Sequence, residues 1–190
     1  EIDFIDHIIG SEGVFALIVE VQFNLSDLPK DFLDLFITLP TENDAIKLRG
    51  YLKQSNILYQ LTALEYFGYN CQNYMEHKNK LFKTDSSVGI YLQYPVSDES
   101  MDDVIEKWVI LLNKSNCGIE DENVFLLNTP DNWRIFFEAR HSMPTKALEK
   151  TKELDAVSII TDTIVPYRNF NEFVQFSHDI LQKNNIEYLL

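Results

Sequence analysis

The chain has 190 residues, 45% of them hydrophobic and 13% aromatic, enough for a sizeable core and too apolar for a disordered segment. A formal net charge of −14 argues against phosphate backbones and anionic lipid as partners, while leaving room for a local basic pocket. No run approaches the ~18 apolar residues of a membrane span, and no signal-peptide pattern opens the chain. Two cysteines without short spacing, Cys71 and Cys117, form neither a disulfide framework nor a zinc pattern. Two buried thiols in a cytoplasmic protein are expected.

In chain order, residues 14–23 read as a buried strand, and residues 32–39 as a second strand ended by Pro40. Thr41 caps a helix with the apolar stripe Ala45, Leu48 and Leu52. Residues 57–67 read as a strand, 70–81 as a short helix and 88–94 as a strand. Ser100 opens an amphipathic helix carrying Val104, Ile105, Trp108, Leu111 and Leu112. Residues 124–127 form a short strand, and Thr129-Pro130 is a cap followed by a first-turn proline. Residues 157–165 read as a strand ending at Pro166, Asn169 or Asn171 opens a last helix, and 186–190 begins a further strand.

The strands mix polar with apolar residues, as in Tyr59-Gln60-Leu61-Thr62. That pattern suits a sheet with one covered face. The predicted class is therefore α+β, ferredoxin-like, mostly antiparallel, with helices on one face. The helices opened by Thr41, Ser100, Thr129 and Asn169 are expected to form that layer through Leu48, Trp108, Phe137 and Phe173.

Few residues suggest chemistry. On the helix opened by Thr129, Arg140 shares a stripe with Trp133, Phe136 and Phe137 at i, i+3, i+4 and i+7. A guanidinium there needs an anion: a substrate carboxylate, an internal partner such as Asp162, or water reached by a long stem. Asp162 sits in an otherwise apolar strand and either pairs with Arg140 or faces solvent. His141, beside Arg140, either assists a proton transfer, binds a carboxylate, or lies at the surface near the helix C-terminus. Gly10-Ser11-Glu12-Gly13 is a turn whose backbone can approach a phosphate or ring edge closely. None of the four histidines has metal-ligand spacing, and no nucleophile elbow or P-loop is present.

The order of these segments carries more than any one of them. Ile8-Ile9-Gly10-Ser11-Glu12-Gly13, running into Val14-Phe15-Ala16-Leu17-Ile18-Val19-Glu20, resembles the end of the FAD-binding domain in the vanillyl-alcohol oxidase-like flavoenzymes. Phe137-Glu138-Ala139-Arg140-His141, with Thr161-Asp162-Thr163-Ile164-Val165-Pro166, is similar to the cap domain of their glycolate oxidase and D-lactate dehydrogenase branch. Leu64-Glu65-Tyr66 suits a strand of that branch. Val14-Phe15-Ala16 departs from the branch's Thr-Leu-Gly, and Ile160 stands where some relatives carry a lysine.

The resemblance implies a remnant of the FAD-binding domain at 1–28 and a cap or substrate domain at 29–190. Gly10, Ser11, Gly13 and Ile18 would lie against FAD, and Arg140 with His141 would bind a 2-hydroxy acid such as D-lactate or glycolate. FAD is expected to be bound mainly by a further domain of the same chain, and the 190 residues alone to be inactive and not to retain it. A stand-alone ferredoxin-like ligand-binding or regulatory module without flavin, or a structural interaction domain, remains open.

Overall fold

The computed structural model describes residues 3–161 and 163–190. A short helix, α1 (Phe4–Ile8), precedes β1 (Asp31–Leu39), α2 (Glu42–Gln54), β2 (Ala63–Phe67), the one-turn α3 (Lys78–Leu81) and β3 (Val88–Val96). Then come α4 (Met101–Ser115), β4 (Val124–Leu126), α5 (Pro130–Glu153) and α6 (Phe170–Lys183). The sheet has the order β2-β3-β1-β4, and all its pairings are antiparallel. The antiparallel ferredoxin-like α+β architecture expected from the sequence is present, with α2 and α4 as the crossover helices.

Local chemistry sets the helix starts. The side chains of Thr41, Ser100 and Thr129 accept hydrogen bonds from the backbone N–H groups of Asp44, Asp103 and Asn132. Each satisfies a donor the helix itself leaves open. Pro130 takes the first helical position of α5, where its missing N–H costs nothing.

Strand alternation divides the core into two layers. Leu33, Leu35, Ile37 and Leu39 of β1, with Ile90 and Leu92 of β3, meet Leu48 and Leu52 of α2 and Val104, Trp108 and Leu112 of α4. On the opposite side Phe36, Phe67 and Tyr91 pack with Phe136 and Ala139 of α5. Helices thus cover both faces, not the single face expected. Phe136 does the work assigned to Phe137, which is 47% exposed. In α6 Val174 is buried and Phe173 only half-buried.

Several predicted elements differ. Residues 14–23 and the described part of 157–165 are not strands and are largely exposed. Only 63–67 of the predicted strand 57–67 pairs, because Leu58–Gln60 forms a 3-10 turn behind Asn56, whose φ is 58°. The predicted helix 70–81 is split into the 3-10 turn Cys71–Tyr74 and α3, with left-handed residues at Asn70 and His77. Residues 186–190 join no ladder. Instead the Gly68 N–H donates to the Leu190 carbonyl at 2.8 Å, and the Leu190 N–H to Tyr69 at 3.2 Å.

Gly89 of β3 marks the closest approach in the second layer. A Cβ there would lie 2.4 Å from Cζ and 2.8 Å from Cε2 of Phe36, and 3.2 Å from Phe82. The Phe36 ring is held by Phe67, Phe82 and Phe136 and has nowhere to retreat. Gly89→Ala is expected to cost roughly 1–3 kcal/mol in urea unfolding, the usual cost of overpacking a core. Unchanged stability would show that the ring can give way.

Candidate functional site

Arg140 lies on α5 between Ala139, which is fully buried, and Ser142, whose Oγ donates to the Ala139 carbonyl and accepts from the Glu76 N–H. Its guanidinium meets Glu65, at the centre of β2, side-on. Nε donates to Oε2 at 2.7 Å and Nη2 to Oε1 at 2.9 Å. Both side chains keep contact with water, at 41% and 35% exposure. Hydrogen bonding to Glu65 holds the Arg140 pKa above its already high ordinary value. The other partner considered, Asp162, lies outside the described residues.

Glu65 stands opposite Tyr91 in the β2–β3 register, so the ion pair opens a polar row across the sheet. The Tyr91 hydroxyl donates to Asp34 Oδ1 at 2.6 Å, and Gln93 Nε2 donates to the same oxygen at 2.9 Å. Asn128 closes the row, accepting from the Asp34 N–H at 3.0 Å and donating to the Phe32 carbonyl at 2.6 Å. Burial first, then the bond to Asp34, pushes the Tyr91 pKa upward, so the phenol stays protonated and acts as a donor.

The other predicted site residues are not drawn to this row. His141 is exposed, stacks on Phe137 at 3.8 Å between ring centroids, and its Nδ1 lies 2.8 Å from the Phe137 carbonyl. Gly10, Ser11 and Gly13 form a turn with positive φ at Gly10 and Gly13, closed by bonds from the Ser11 N–H to Ile8 and the Val14 N–H to Ser11. Ile18 is exposed in the extended stretch beyond. Among the described residues, no hydrogen bond of these four reaches the sheet.

A second constellation was not legible in the sequence. Glu42, in the first turn of α2, accepts from the Tyr66 hydroxyl at 2.8 Å and faces His178 Nε2 of α6 at 2.9 Å. His178 Nδ1 lies 2.5 Å from the Tyr188 hydroxyl, which Gln182 also contacts at 3.0 Å. Tyr69 stacks on Tyr188 with centroids 4.6 Å apart. Burial and the Glu42 contact raise the Tyr66 pKa. A carboxylate, an imidazole and two phenols in series can pass a proton, and they also pin α6 to the sheet domain.

Beside them an open cleft of about 240 Å³ runs between α2, β2 and α6, walled by Ala45, Ile46, Leu64, Ile90 and Val174. Glu42, Glu65 and Tyr66 also line it, and Arg49 sits 4.7 Å over the Phe170 ring at its margin. Glu42 and His178 are 136 positions apart, so their pairing had no local signal. The one available hint was that His178 follows Val174 and precedes Leu181 at helical spacing on the inner side of α6.

Cys71 and Cys117 are both buried thiols, and burial pushes the Cys71 pKa up to about 11, which makes it a poor nucleophile. Among the described residues, no group of three or more His, Cys, Asp or Glu is arranged to hold a metal ion. No helix among them is long and apolar enough to cross a membrane. Compared with known proteins, the sequence matches no family model and no curated protein.

Proposed function

We propose that the chain is the substrate-binding cap domain of a cytoplasmic FAD-dependent oxidoreductase acting on a 2-hydroxy acid such as D-lactate or glycolate. Its principal partner is an FAD-binding domain of the same chain. The observation that carries this reading is the stretch directly after the Gly10–Gly13 turn. Phe15, Leu17, Val19, Phe23 and Leu25 are all largely exposed there, with Val19 at 88%. An apolar run of this density is suited to burial on both faces, and its exposure on this domain marks an interaction surface. The resemblance makes the same stretch the end of the FAD-binding domain and lays it against the flavin.

The residues present fit part of an FAD site. A Cβ at Gly10 or Gly13 would meet nothing within 4 Å, so a planar ring edge can approach the turn's backbone. Residues 3–29 hold Asp3, Asp6, Glu12, Glu20 and Asp27 but no lysine or arginine, so the pyrophosphate belongs on the partner domain. FAD, when bound, supplies the hydride acceptor. This chain's own contribution is to hold the substrate: Arg140 takes the carboxylate, and the Tyr91–Asp34–Gln93 row stiffens the sheet behind it.

The cleft beside Glu42 and His178 favours a second reading, a ferredoxin-like ligand-binding module that needs no flavin. Absorbance separates the two. The 190-residue chain is expected to purify colourless and to gain no flavin band on addition of FAD. The gene product that includes the neighbouring sequence is expected to purify with that band. A colourless gene product that takes up no FAD would end the oxidoreductase reading and leave the ligand-binding module.

A further inference from the structure

We propose that Glu65 is a positioning residue, which sets the Arg140 guanidinium so that its outer edge meets the substrate carboxylate. The inference rests on the reading of Arg140 as the carboxylate clamp. A guanidinium offers two flat edges for a carboxylate, one formed by Nε with the nearer nitrogen, the other by the two terminal nitrogens. Glu65 occupies the first, through Nε at 2.7 Å and Nη2 at 2.9 Å. Among the described residues, nothing bonds to Nη1 or to the remaining N–H of Nη2. The second edge is thus intact, on a side chain that is 41% exposed.

Both ends of this arrangement are anchored. Glu65 sits mid-strand and is held in register by its pairing with Tyr91. Arg140 follows the fully buried Ala139 on α5. A long side chain that would otherwise sample many rotamers is fixed in one direction before any ligand arrives, which lowers the entropy lost on binding.

A purely charge-balancing Glu65 would have the opposite effect on an anion. It would repel an incoming carboxylate and compete for the guanidinium, so its neutralisation would tighten anion binding. The two roles therefore predict opposite signs. The test is D-lactate titration of the gene product that includes the neighbouring sequence, carrying Glu65→Gln or Glu65→Asp, with the Arg140 Nε–H followed by NMR in the 190-residue chain and folding by circular dichroism. Glutamine removes the charge; aspartate keeps it but is one methylene shorter, so its carboxylate does not reach the guanidinium from the same strand position.

Positioning predicts that both variants bind D-lactate about tenfold more weakly, as expected for a loosened orienting contact, and that the Nε–H signal loses its exchange protection. Binding by Glu65→Gln as tight as the parent's, or tighter, would overturn the positioning role and leave the clamp standing. If the parent chain binds no D-lactate, the clamp itself fails, and the positioning role with it. Glu65→Asp keeps the question answerable should Glu65→Gln fold poorly.

Discussion

Replacing Phe36 with alanine is expected to cost about 3–5 kcal/mol, the range for emptying a buried aromatic site. Phe36 is fully buried in the central strand β1. Its ring meets Phe67 at 5.8 Å and Phe82 at 5.3 Å in edge-on contacts, and Phe136 at 5.5 Å. Edge-on aromatic pairs add to plain burial, although the increments at one ring do not sum. Gly89 is small because this ring fills the space above it, so its removal leaves a hollow that the flanking backbone cannot close. Urea unfolding measures the loss. The paired control is Phe137→Ala, expected to change stability by less than about 1 kcal/mol because that ring is half in water. Equal losses at the two positions would show that α5 packs through a different face.

That pair of substitutions also shows where sequence reasoning succeeded and where it failed. The helices α2, α4 and α5 were legible because each begins with a threonine or serine whose side chain satisfies an early backbone donor. The strands β1 and β3 were legible from β-branched and aromatic runs. Their layer assignment was misread because the polar alternation came from Tyr59-Gln60-Leu61-Thr62, which precedes β2 and lies outside its register with β3. The informative signal lay elsewhere. Residues 35–39 and 88–92 are buried without a break, a pattern that belongs to strands covered on both faces.

Residues 14–23 and 157–165 show the limit of propensity. Each is rich in β-branched residues, yet among the described residues neither pairs in this domain, because β preference expresses a fit to a neighbouring surface more than a backbone choice. At the site, a need for an anion at Arg140 was legible from its apolar stripe, but the partner was not. Glu65 lies 75 positions earlier and is presented by an edge strand whose register only the assembled sheet defines. Glu42 and His178 were hidden for the same reason: each reads alone as an ordinary helix residue.

Arg140→Lys separates a clamp from a structural ion pair, and here the geometry makes the two outcomes far apart. Lysine keeps the charge but replaces a planar fork with a point donor, so it cannot bridge Glu65 and hold a carboxylate at two points together. Loss of a charge-assisted hydrogen bond to substrate costs ~1.5–3 kcal/mol, roughly ten- to a hundredfold in D-lactate affinity. The stability effect should be much smaller. The pair with Glu65 is about two-fifths exposed on the arginine side, and solvent screening holds such pairs to about 1 kcal/mol or less. The buried apolar contacts of α5, led by Phe136 and Ala139, are not touched by the substitution. Thermal melting and D-lactate titration on the same variant therefore give a small and a large change, respectively. A clear drop in melting temperature with unchanged affinity per folded molecule would assign Arg140 to the scaffold and remove it from the substrate site.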